Sequence, residues 1–138
     1  MSDYATRYYG TITLKLQPAE ANKRIVKFTH TGLKNDKGNE YETEKCHSPE
    51  EAFTYAKGLI DCINFYTSCY KDINEDKELY KKEFEEMLDI HKKNRYEQDV
   101  KMPSYAPDEI MGVIEKSYRK GWDAMLLELK NIDGATYN

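Results

Sequence analysis

From Tyr8 to Leu16 every second position is apolar or small. Tyr8, Gly10, Ile12, Leu14 and Leu16 alternate with Arg7, Tyr9, Thr11, Thr13 and Lys15. A period of two predicts a β-strand over 7–16 with one buried and one wet face. A polar loop with one proline follows at 17–23. The next alternation, over 24–31, sets Val26, Phe28 and His30 against Lys27, Thr29 and Thr31. Turn-forming residues at 32–40 lead into a third strand at 41–46, with Tyr41, Thr43 and Lys45 on its outward side. The short connections predict an antiparallel meander.

The period then changes from two to about 3.6. Ser48, Pro49 and Glu51 read as an N-cap, a first helical position and the far end of a capping box. The helix they start runs to about 70. Its stripe is wide: Ala52, Tyr55, Ala56, Leu59, Ile60, Cys62, Ile63, Tyr66 and Cys69. A second helix is expected at 76–97, with Leu79, Tyr80, Phe84, Met87, Leu88 and His91 inside and Lys and Glu outside. After a connector at 98–109 that holds Pro103 and Pro107, a third helix starts near 107 and runs to about 132. Its apolar row is Ile114, Tyr118, Gly121, Met125 and Leu129, flanked by Trp122, Leu126 and Ile132.

These elements predict an α+β fold in one domain, 1–138. A three-stranded antiparallel meander (1–46) precedes a helical part (47–138). The first helix is expected to cross the sheet, and the last two to form an antiparallel hairpin. At 138 residues a chain buries enough surface to fold without disulfides.

Composition narrows the setting. Cys46, Cys62 and Cys69 are odd in number and lack a framework spacing, which suits a reducing, cytoplasmic environment. The first ten residues lack the apolar centre of a signal peptide, and no apolar run approaches the ~20 residues of a membrane span. The net charge of -4 is uneven: residues 1–34 hold six cations and two anions, residues 35–70 three and seven. Twelve tyrosines suit half-exposed and interface positions.

Candidate chemistry is sparse. Cys46, His47, Cys62, Cys69 and His91 lack the short pairs of a zinc site, so no metal and no cofactor are expected. Gly32 and Gly38 are turn glycines, not a phosphate loop, and no nucleophile–base pattern is present. His30 falls on the apolar side of its strand and reads as a satisfied core histidine. The outward set Tyr9, Lys15, Lys27, Tyr41 and Lys45 is the candidate ligand or partner surface: lysines supply charge and tyrosines a stacking face.

The third helix is the candidate oligomer surface. Met111, Tyr118, Gly121, Trp122, Met125, Leu126 and Leu129 leave apolar atoms on more than one side. Gly121 costs about 1 kcal/mol relative to alanine in a helix, which points to the close approach of another helix. In composition the chain is similar in style to phage and mobile-element accessory proteins, including inhibitors of host defence. The resulting expectation is a non-enzymatic protein-interaction module, an inhibitor or adaptor, assembled as a homo-oligomer through its helices. The alternative is a small-ligand or nucleotide-binding protein using the basic sheet face or a dimer groove. Nucleic acid is disfavoured by the acidic net charge, because phosphate contacts dominate such affinity.

Overall fold

The computed structural model describes residues 5–69, 75–99 and 107–136. Four strands come first: β1 (Ala5–Tyr9), β2 (Ile12–Pro18), β3 (Arg24–Thr29) and β4 (Glu40–Glu42). Three helices follow: α1 (Pro49–Cys69), α2 (Lys77–Asp99) and α3 (Pro107–Thr136). The sheet is antiparallel throughout, in the order β1-β2-β3-β4.

The α+β class and the N-terminal antiparallel sheet agree with the sequence pattern. The strand count does not. The run 7–16 is a hairpin, not one strand: Tyr9 pairs with Ile12, and Gly10 turns the chain with φ 61°. Glycine takes that conformation at no steric cost, and a two-residue turn led by glycine suits a hairpin. The hairpin inverts the faces. Directly paired residues share a side, so Arg7 goes with Leu14 and Tyr9 with Ile12. Tyr9 therefore turns toward the helices, and Tyr8 is left 72% exposed on the other side.

Leu14, Leu16, Val26, Phe28 and Tyr41 form the core face of the sheet. Helix α1 packs on them. Ser48 Oγ accepts the Glu51 N–H at 3.2 Å, as a capping box requires, while the Glu51 carboxylate reaches back to the His47 N–H, also at 3.2 Å. From Ala52 to Ile63 almost every α1 residue is buried. A helix buried all round lies between two layers. Here those layers are the sheet and α3.

The contact between α1 and α3 is backbone to backbone. A Cβ at Gly121 would strike the Tyr55 carbonyl oxygen, and one at Gly58 would lie 2.5 Å from the Tyr118 carbonyl oxygen. Gly121 thus admits another helix, as its position in the stripe suggested, and that helix is α1 of the same chain. Helix α2 adds a narrow stripe of Tyr80, Phe84 and Leu88. The Phe84 ring meets Tyr118 at 5.6 Å and Trp122 at 5.7 Å. Helix α3 is therefore packed against both other helices, and α1 is its principal neighbour.

Candidate functional site

The polar chemistry inside the fold converges on Asp61. This residue stands between Ile60 and Cys62 in the fully buried middle of α1. Tyr9 of β1 donates its phenol to Asp61 Oδ1 at 2.6 Å. Tyr118 of α3 donates to Oδ2 at 2.8 Å. His91 of α2 brings Nε2 to the same oxygen at 2.8 Å, and 3.2 Å from the Tyr9 hydroxyl. One carboxylate thus ties all three helices to the first strand. Burial, reinforced by the Asp61 charge, pushes both phenols far above the ordinary tyrosine range. Both act here as hydrogen-bond donors to the carboxylate. Both carboxylate oxygens are occupied, and the Asp61 side chain is only 5% exposed. The cluster is a structural lock within the core.

A second buried histidine is equally committed. His30 Nε2 lies 2.7 Å from Asn64 Oδ1, and its Nδ1 accepts the Gly32 N–H at 3.0 Å. The two bonds satisfy both ring nitrogens, in line with its place on the apolar side of β3.

The other face of the sheet is different. Among the described residues, α1 packs on the core face, and Lys15, Lys27, Thr29, Glu40 and Glu42 stand exposed on the opposite one. Lys15 is directly opposite Lys27, and Lys27 directly opposite Glu42. Like charges in directly opposed positions destabilise a sheet. An open depression of about 850 Å³ runs from this face around the β4 edge to Glu128 of α3. Lys15, Lys27 and Lys37 line it, together with Asp36, Glu40, Glu42 and Glu128. None of these seven is in an ion pair among the described residues. Burial, then the nearby Asp36, raises the Glu128 carboxyl above its ordinary range.

The structure divides the residues singled out from the sequence. Lys15 and Lys27 do stand together on the outer face. Tyr9 is on the core side, for the hairpin reason given above. Tyr41 is buried, stacked on Phe28 at 5.5 Å, and donates its hydroxyl to the Leu33 carbonyl at 2.9 Å. Lys45 lies beyond β4 and pairs with Glu20 at 3.3 Å. On α3, Tyr118, Gly121, Trp122, Met125 and Leu129 are covered by α1 and α2 of the same chain. The predicted oligomer row is thus core, because α1 presents two apolar sides and absorbs it. Met111 and Leu126 are half-buried, and Leu127 is 64% exposed. Ile132 has its side chain outside the described residues, as does Cys69.

Asp61 was not singled out from the sequence. Its signal was available: a lone carboxylate inside an apolar helical stripe needs partners, and the tyrosines and His91 on the other stripes could supply them. Among the described residues no group of three or more His, Cys, Asp or Glu could hold a metal, and no helix is long and apolar enough to cross a membrane. No family model, curated protein or solved structure significantly matches the chain.

Proposed function

We propose that this protein is a non-enzymatic interaction module, an inhibitor or adaptor, whose working surface is the outer face of the sheet. The observation that supports this reading is the uncovered face itself. It carries Lys15, Lys27, Glu40 and Glu42, without ion-pair partners among the described residues, and the exposed ring of Tyr8. The apolar row of α3, by contrast, is already used inside the chain. Tyrosine together with charged groups suits a surface that is wet when free and covered when bound. A reducing, cytoplasmic setting belongs to the same reading and is supported by the buried free thiols of Cys46 and Cys62.

The test is site-specific photo-crosslinking in cells that express the chain. Probes at Tyr8 and Lys27 are expected to give discrete adducts, and a probe at Lys81, on the solvent side of α2, none. Adducts that form from Lys81 instead, or adducts from the Tyr8 probe that persist when Lys15→Glu and Lys27→Glu are combined, would move the working surface elsewhere.

A small anionic ligand is the second reading, and the opposed Lys15–Lys27 pair favours it. Glu40 and Glu42 on the same face count against it. Calorimetry with nucleotides at low salt separates the two: binding that Lys27→Glu abolishes supports the ligand, and absence of heat removes it.

A further inference from the structure

We infer that the occupant of the outer sheet face is a second copy of this chain, docked face to face across a two-fold axis. The inference rests on the reading of that face as the working surface and names its partner. Three observations carry it.

The first is the order of charge across the sheet. Strand β1 offers Thr6 and Tyr8, β2 offers Lys15, β3 offers Lys27, and β4 offers Glu40 and Glu42. Beyond the β4 edge the depression continues to Asp36 and Glu128. The surface therefore has a lysine half, Lys15 and Lys27, and a carboxylate half in which Asp36, Glu40, Glu42 and Glu128 outnumber Lys37. A partner of one sign would satisfy one half and repel the other. A two-fold axis near the β3–β4 boundary brings the lysine half of each copy over the carboxylate half of the other, which is the self-complementarity an isologous contact demands.

The second is the conflict left in the single chain. Lys15 and Lys27 are directly opposed and have no ion-pair partner among the described residues. At the other end Glu128 lies near Asp36 and is partly withdrawn from water. Glu42 opposite Lys27 and Lys37 near Asp36 offset these repulsions only in part, and a second copy supplies opposite charge to both ends at once.

The third is size. Strands of five, seven, six and three residues, about 4.8 Å apart, cover on the order of 330 Å². The two-fold overlay sets β3 of each copy on β4 of the other and β2 over the depression beyond it, so with side-chain relief it buries on the order of 1,000 Å² at most, the low end of specific association. An overlay of this size belongs to the weak, transient class of association. Its charged contacts make it weaker still at high salt.

Charge reversal and complementation test the inference. Sedimentation of the full chain at low salt, from about 1 μM to 1 mM, is expected to show a monomer–dimer equilibrium. Lys15→Glu with Lys27→Glu, and separately Glu40→Lys with Glu42→Lys, should each weaken the homodimer at least tenfold. Mixing the two variants should restore association as a heterodimer. These side chains are exposed, and circular dichroism verifies that each variant is folded; if one is not, Lys27→Glu alone is read the same way. A wild-type chain that stays monomeric at 1 mM overturns the inference. So does a dimer that neither variant weakens, or a mixture that fails to associate. A monomeric chain whose Tyr8 and Lys27 crosslinks persist would overturn the second copy and leave the interaction module standing.

Discussion

A methyl group at Gly121 has nowhere to go. It would run into the Tyr55 carbonyl, and backbone inside a buried helix cannot step aside. Gly121→Ala should therefore destabilise the fold by about 3 kcal/mol or more, at the upper end of overpacking costs. Gly112, in the same helix, is the control. Nothing lies within 4 Å of a Cβ built there, so Gly112→Ala should stabilise by up to about 1 kcal/mol through helix propensity. Urea unfolding of the two variants side by side measures the difference. A smaller case runs the other way. Ala21 sits at φ 56°, in the left-handed region that disfavours a side chain, so Ala21→Gly should gain a few tenths to ~1 kcal/mol by the same measurement. The sequence made Gly121 readable as a point of close approach. It could not say which helix approaches, because α1 and a second copy would present the same kind of stripe. Tyr8 and Tyr9 show the opposite failure. Their faces depend on whether Gly10 continues a strand or turns it, and a run of alternating residues looks the same in both cases.

At the scale of elements, α1 organises the molecule, and its start was legible down to the cap. Its role as a layer between sheet and α3 was less so. A wide stripe was read as one broad face, whereas its residues are shared between two neighbours. The Asp61 lock was missed for a related reason: its four members come from four elements far apart in sequence, and only packing brings them together. The lock makes a prediction. Asp61→Ala removes one acceptor and leaves Tyr9, Tyr118 and His91 pointing into a small void. Each buried donor left unsatisfied costs about 1–3 kcal/mol. The void retains three donors aimed at the vacated carboxylate position. Formate should therefore raise the thermal midpoint of Asp61→Ala more than that of the wild-type protein. Equal shifts in both would mean that the donors collapse when the carboxylate is lost, and the lock would then be no preformed cradle.

At the scale of the molecule, the perturbed acids among the described residues share one sign. Burial raises Glu83, Asp123 and Glu128 above the ordinary carboxylate range. It also pushes the thiol of Cys46 to about 11 and the phenols of Tyr41 and Tyr55 to about 12. In each case the folded state holds its proton more tightly than the unfolded chain does. The stability contributed is therefore complete below the unfolded pKa and is lost as pH rises through the folded one. For the three carboxyls, acidification from pH 7 toward about 5 works in the direction of a higher thermal midpoint. For the thiol and phenols, stability should fall as pH climbs above about 9. Glu128 isolates the carboxyl effect. Glu128→Gln keeps the shape and removes the charge, so at pH 7 the variant should melt higher than the wild-type protein, and the two should converge as pH falls. Glu128 also lines the depression that the second copy is inferred to cover. In a dimer, the lysines of the other chain would hold its carboxylate ionised and cancel the advantage of glutamine. The gain from Glu128→Gln should accordingly be largest at micromolar concentration and shrink toward millimolar. A gain that is the same at both concentrations would mean that no cation reaches Glu128 from outside, and any dimer would have to form without the carboxylate end of the depression.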